Sequence, residues 1–312
     1  MLARLQKIIT LSLLAAAGVW ALAFWRVSPA LALAGGAVIV FGYAVLLALE
    51  FAALRRANRN DPAPPPRWGE LARAWAGECV AAARVFGWWQ PFRAHAVPDD
   101  QAAPAAALGR RGVVLIHGFV CNRGLWTPWL RELKARGHVF AAVNLEPVFG
   151  PIDGYVPIID AAVRRVTQAT GLSPLLVCHS MGGLAARAWL RAVDGYARVH
   201  HVVTLGTPHH GTWLARFGRA ANGRQMRIGC DWQRQLERDL PARHRALFTC
   251  WYSNCDNIVF PASTATLAGA ENRLLRGRGH VRLALDATVL HDTLARLEAV
   301  PTAPVPPRSS AR

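Results

Sequence analysis

The chain has 312 residues, 53% of them hydrophobic, and a formal net charge of +17, a length that allows one large domain or two small ones. Nearly all the positive charge is arginine scattered among alanine, glycine and proline, with only Lys7 and Lys134 as lysines; without a dense basic run interleaved with aromatics, nucleic acid is not an expected partner. The six cysteines form no C-x-x-C pair and no Cys/His pair at zinc spacing, so no metal site is expected.

The hydrophobic excess lies at the front. Ile8–Trp25 runs 18 residues without a charge and Val27–Leu49 runs 23, each long enough to cross roughly 30 Å of hydrocarbon as a helix. Only Arg26 separates them, followed by Ser28-Pro29. Residues 1–54 therefore read as a transmembrane hairpin with spans over about 8–25 and 30–52. A secretory signal peptide followed by a buried helix is the alternative, and the length of the second stretch argues against it. Arg4 and Lys7 precede the first span, and Arg55, Arg56, Arg59 and Arg67 follow the second. By the positive-inside rule both ends, and the domain that follows, face the cytoplasm.

Residues 55–66 contain Asn-Arg-Asn-Asp-Pro-Ala-Pro-Pro-Pro, a linker stiffened by its prolines. From Trp68 the pattern is helical: Leu71, Trp75, Cys79, Ala82, Phe86 and Trp89 recur at spacings of four and three, an apolar face expected to pack on the domain. Residues 67–300 have the size of one α/β domain. Strands are predicted at Val113–Ile116, Val139–Val143, the run into Ser180, Val199–Leu205, Ala246–Tyr252 and Asn272–Leu275. Helices are predicted at Trp126–Arg136, Ile158–Thr170, from Ser180 to about Val193, and around Val289, Leu290, Leu294 and Leu297. This alternation predicts the α/β class, a mostly parallel sheet with helices on both faces. Residues 211–245 break the rhythm and read as an insertion that either caps the strand rim as a lid or covers a sheet edge. The proline-rich stretch 301–312 is expected to be disordered.

In such sheets ligands bind at the carboxyl ends of the strands. His117-Gly118-Phe119, Ser180 and Gly206-Thr207-Pro208 all fall at such ends. Ser180 follows an apolar run and precedes a small-residue helix, the strand–turn–helix context of a G-x-S-x-G nucleophile elbow, with Cys178 in place of the first glycine. Gly182 is expected where a side chain would strike the incoming strand, and Gly183 where the departing helix must lie close to the sheet. A serine nucleophile needs a base to take its proton and an anion to orient that base. The order Ser, acid, His selects Asp256, after the strand that follows the insertion, and His280, 24 residues later. Asp194 is the rival acid, but its place at a helix end beside Gly195 suits a cap. His291 lies within the final helix. The backbone N–H groups of Phe119 and Met181 are the expected oxyanion donors, whereas His117, His179, His209 and His210 are expected to be structural. In the cytoplasm the cysteines are thiols; outside, a Cys230–Cys250 or Cys230–Cys255 bridge is open.

Jointly these segments resemble the α/β-hydrolase superfamily, and within it the bacterial lipase and esterase branch with an H-S-M-G-G elbow. The residues that carry the resemblance are Val114-Leu115-Ile116-His117-Gly118-Phe119, His179-Ser180-Met181-Gly182-Gly183-Leu184, Thr204 through Thr212, Asp256 through Pro261, and Gly277-Arg278-Gly279-His280. It covers about Arg111 to Ala299 and extends to membrane-anchored lipid deacylases that share the elbow and the G-T-P-H segment. The resemblance implies a membrane-anchored serine esterase or lipase that cleaves carboxylic esters through an acyl-serine intermediate without a cofactor. The apolar hairpin and insertion point to a lipid-like acyl ester as substrate and the bilayer as partner. The implied location is the bacterial inner (cytoplasmic) membrane with the catalytic domain facing the cytoplasm. An acyltransferase of the same fold and a non-catalytic hydrolase-like binding module are the alternatives. All three triad positions being filled argues against the module.

Overall fold

The computed structural model describes residues 1–99 and 108–299; the tail over 301–312 lies outside the described residues. Six strands form one sheet in the order β2-β1-β3-β4-β5-β6, every neighbouring pair parallel. They are β1 (Val113–Ile116), β2 (Phe140–Ala142), β3 (Leu175–His179), β4 (His201–Leu205), β5 (Phe248–Tyr252) and β6 (Glu271–Leu274). A sheet covered on both faces needs strands that are apolar without alternation, and Val113–Ile116 and Leu175–His179 are buried at every position. On one face Val114, Ile116, Leu176, Cys178 and Val202 join one core. On the other Val113, Leu115, Leu175, Val177 and Val203 join a second core.

The helices are α1 (Leu2–Phe24), α2 (Pro29–Phe41), α3 (Tyr43–Ala57), α4 (Trp68–Arg84), α5 (Gln90–Phe92), α6 (Thr127–Ala135), α7 (Val156–Thr170), α8 (Met181–Ala192), α9 (Ala221–Gln225), α10 (Asp231–Arg238), α11 (His280–Ala284) and α12 (Ala287–Glu298). Helix α1 is long and apolar enough to cross a membrane. The stretch expected as one straight span over 30–52 is instead two helices, bent by 52° at a break around Gly42. Helix α2, of 13 residues, is about 20 Å long, short of the hydrocarbon thickness. The end of α3 leaves the apolar environment of the hairpin altogether: Phe51 and Leu54 are buried with Leu71, Cys255 and Phe260. Helices α1 and α2 pack closely because Gly35 lies against Trp20, whose indole N–H donates to the Leu31 carbonyl at 3.2 Å.

The segment expected as a linker is fastened to the domain. Asn58 accepts from the Ala262 amide at 3.2 Å, and Asp61 from the Ser263 amide at 3.1 Å. The buried face of α4 is also rotated from the expected stripe, comprising Leu71, Ala74, Gly77, Glu78 and Ala81. Small residues at 74, 77 and 81 let this face approach α11. Trp75 and Cys79, from the expected stripe, instead turn toward α3: the Trp75 indole donates to the Ala44 carbonyl at 2.9 Å and the Cys79 carbonyl accepts from Tyr43 at 3.0 Å.

The 211–245 excursion packs on one face of the sheet, over the inner strands β4 and β5. Ala215, Met226, Leu236 and Leu240 are buried in the same core as Val202 and Phe248. The buried Arg187 of α8 ties it down through Glu237 at 2.8 Å and the Leu236 carbonyl at 3.2 Å.

Helix α8 is wedged between strand ends, and two glycines permit this. A Cβ at Gly182 would lie 2.3 Å from the Ile116 carbonyl oxygen, and one at Gly183 would lie 2.2 Å from Thr207 Oγ1. The obstacle at Gly182 is therefore the neighbouring strand β1, not the incoming strand β3 expected from the sequence. Gly182→Ala should cost roughly 2 kcal/mol and lower Tm by several degrees, because backbone must move to admit the methyl. Gly69→Ala, in open space on α4, should leave Tm unchanged or slightly raised. Thermal unfolding of both variants in one detergent checks the contrast, and equal Tm values would contradict the wedge.

Candidate active site

Ser180 sits between β3 and α8 with φ 56° and ψ −129°, a backbone conformation that costs a non-glycine residue energy and persists only when its surroundings impose it. Here the Ser180 amide donates to the Leu205 carbonyl at 2.9 Å while the two glycines hold α8 against β1 and the loop after β4. The turn brings the side chain to the carboxyl end of the sheet and places the Met181 amide in the first turn of α8, where N–H groups have no intrahelical partner. Cys178 is fully buried in the sheet core beside Ile116, and burial holds its thiol well above the usual range. It is a small core side chain on the face away from the neighbouring His179.

Asp256 follows β5 and His280 opens α11. Asp256 Oδ2 and His280 Nδ1 are 2.9 Å apart, both residues buried. The other carboxylate oxygen accepts from the Ile258 and Val259 amides at 3.0 and 2.8 Å, which fixes its orientation. Gly206, at φ 56°, leaves this pair room: a Cβ there would stand 2.7 Å from Asp256 Oδ2. Burial disfavours the charged imidazole, but the Asp256 carboxylate, with Glu78 and Glu50 behind it, outweighs burial and raises the His280 pKa above its ordinary value. With its Nδ1–H on Asp256, the ring keeps Nε2 available to accept a proton.

Ser180, His280, Asn257 and Phe119 line one cavity of about 530 Å³. Of the rim histidines, His117 accepts from the Leu145 amide at 3.1 Å and is held neutral by burial, at about 4. His209 is locked against Thr204 and Arg187. His179 reaches the His280 carbonyl at 3.1 Å with its ring 4.5 Å from that of His280, and so helps to seat it. The rival Asp194 has a left-handed backbone ahead of the Gly195–Arg198 turn and is not bonded to His280. His291 lies in α12. The six cysteines are free thiols. Among the described residues no group of three or more His, Cys, Asp and Glu is placed to hold a metal ion.

Two carboxylates at the site were not singled out from the sequence. Glu78 of α4 accepts from the Val281 and Arg282 amides at 2.7 and 3.0 Å, capping the helix that His280 begins. Burial pushes it up to about 7. Glu50 of α3 accepts from Asn257 Nδ2 at 2.6 Å, while Asn257 Oδ1 accepts from the His280 amide at 3.1 Å. The available signal was an acidic residue among apolar or small neighbours, Glu50 between Leu49 and Phe51 and Glu78 between Gly77 and Cys79, since buried carboxylates are retained only with partners.

A family model described as a PGAP1-like alpha/beta domain matches residues 161–259, from within α7 to just past Asp256. Over 156 residues the chain is 32% identical to a triacylglycerol lipase of Burkholderia plantarii, which covers 47% of this chain and 42% of the lipase. The chain thus spans less than half the length of that relative. The mature lipase BlEst2 of Bacillus licheniformis superposes with a TM-score of 0.55 at 18% identity, covering 64% of this chain and 95% of that one. Aspergillus fumigatus lipase B superposes with a TM-score of 0.56 at 17% identity, covering 65% and 55%. The fold is the α/β-hydrolase fold of lipases and esterases.

Within this hydrolase fold, Glu78→Gln removes a negative charge that favours the imidazolium of His280, so His280 should titrate at lower pH than in the wild type. Side-chain NMR titration of the imidazole reads this directly; an unchanged midpoint would mean that Glu78 does not act on His280.

Proposed function

We propose that the protein is a membrane-anchored serine hydrolase that cleaves carboxylic esters of lipid-like substrates. The observation that carries this reading is the meeting, at one strand rim, of a serine on a strained turn with a buried, hydrogen-bonded Asp–His pair. Ser180 Oγ attacks the ester carbonyl while His280 Nε2 takes its proton, and Asp256 holds the ring and stabilises the imidazolium. The amides of Phe119 and Met181 receive the developing oxyanion. The protonated His280 then gives its proton to the leaving alcohol, and water, activated by the same ring, releases the acid from the acyl-serine. No cofactor takes part. The likeness to a triacylglycerol lipase supports an ester substrate, and the apolar α1 supports a membrane-bound one.

Ser180→Ala, His280→Ala and Asp256→Asn should each lower kcat toward p-nitrophenyl esters by roughly 10³-fold or more; near-wild-type turnover in any of them would displace that residue from its role. Because the base must be neutral and the His280 pKa is raised, kcat/KM should fall with decreasing pH along a limb centred above the ordinary histidine value of about 6.5. A limb centred below that value would contradict the arrangement.

The membrane part of the proposal is a hairpin with both ends on the cytoplasmic side of an inner membrane. Arg4 and Lys7 at one end and Arg55, Arg56 and Arg59 at the other support it. So does the docking of the start of α1 on the domain, through Gln6 to Gln90 at 2.8 Å. A fluorescent protein fused to the C-terminus should be bright and an alkaline phosphatase fusion silent; the opposite pattern would reverse the orientation.

A further inference from the structure

The cavity that reaches Ser180 is not enclosed by the hydrolase domain. One wall is formed by Ile9, Leu13 and Leu14 of α1, and the facing wall by Phe41 with Leu46 and Leu47 at the start of α3. Polar groups gather at the other end, where Glu50 and Glu78 bond to the segments carrying Asn257 and His280. Several of the wall residues remain open to the surroundings: Leu13 is 44% exposed, Leu14 53%, Phe41 59% and Leu46 60%. The cavity therefore opens between α1 and α3, through apolar side chains on the same helices that supply the hydrophobic excess of the chain.

Both walls are fixed relative to the site. On the α1 side, Gln6 is buried and bonds to Gln90, to Asn122 and to the Val120 carbonyl next to Phe119. On the α3 side, Tyr43 and Glu50 bond to the Cys79 carbonyl and to Asn257. No residue of the 211–245 excursion lines the cavity.

We propose that the N-terminal hairpin is the acyl-binding wall of the active site. The acyl chain of a membrane lipid ester enters sideways from the bilayer between α1 and α3 and lies against these six side chains, with its carbonyl at Ser180. A volume of about 530 Å³ is within the range of ligand pockets that bury most of a molecule of that size. Each methylene transferred from water to such a wall favours binding about fourfold. The hairpin thus sets acyl-length preference as well as location. This inference rests on the ester-hydrolase reading above.

The test uses the full chain in lipid nanodiscs and p-nitrophenyl esters from acetate to palmitate. The readout is the ratio of kcat/KM for the laurate ester to that for the acetate ester. Leu13→Trp and Leu46→Trp, which fill the cavity from opposite walls, should each lower this ratio at least tenfold. Leu13→Ala, which enlarges it, should move the preferred ester to a longer chain. Leu22→Trp, on an exposed position of α1 outside the cavity, should keep the wild-type ratio. If the wild type turns over esters and the three cavity variants retain its chain-length profile, the wall proposal is overturned and the hydrolase reading stands. A wild type inert toward every ester overturns the hydrolase reading, and the wall with it.

Discussion

The backbone of Ser180 can hold φ 56° only because α8 starts where it does, and α8 starts there only because two positions lack a side chain. Gly182 abuts the carbonyls that end β1, and Gly183 abuts Thr207 beyond β4. Both contacts lie outside β3, so the turn is fixed by its two neighbours in the sheet and not by the strand that leads into it. The order β1-β3-β4 in the middle of the sheet therefore matters to the site: it supplies the two strand ends between which the serine is aimed. The same central strands bring Phe119 beyond β1 and Gly206 beyond β4 to the rim that Asp256 and His280 share.

The Asp–His pair depends in turn on helices that precede the sheet in sequence. A carboxylate as buried as Glu78 is costly unless its oxygens are bonded, and both accept backbone amides from α11. Asn257 passes a similar constraint from Glu50 to the His280 amide. Helices α3 and α4 thus clamp the segment bearing His280, while the start of α1 touches the loop bearing Phe119 through Gln6. The N-terminal region is built into the site.

The sheet was legible because parallel strands buried on both faces are continuous apolar runs, and each expected strand lies within two residues of its observed bounds at its carboxyl end. The pairing of Asp256 with His280 was legible from chain order at strand ends. The bend near Gly42 was not, because an uncharged run looks the same whether the helix is straight or broken. The buried face of α4 was misread because Ala74, Gly77 and Ala81 pack by smallness and contribute little to an apolar stripe, while the large Trp75 and Phe86 serve α3 and the cavity. Leu13 and Leu46 were unreadable as cavity wall for a related reason: a side chain facing lipid and one facing an apolar cavity have the same composition. Cys178, anomalous in the elbow pattern, is ordinary once its side chain is seen in the sheet core.

In the proposed function, ester chemistry passes through the hydroxyl of Ser180. Full-length protein mixed with excess p-nitrophenyl butyrate, quenched in acid within the first turnover and mapped by peptide mass spectrometry, tests it most directly. A butyryl adduct on the peptide containing Ser180, absent in Ser180→Ala, is the predicted result. Turnover without that adduct, or an adduct confined to another residue such as Cys121 in the same cavity, would contradict it.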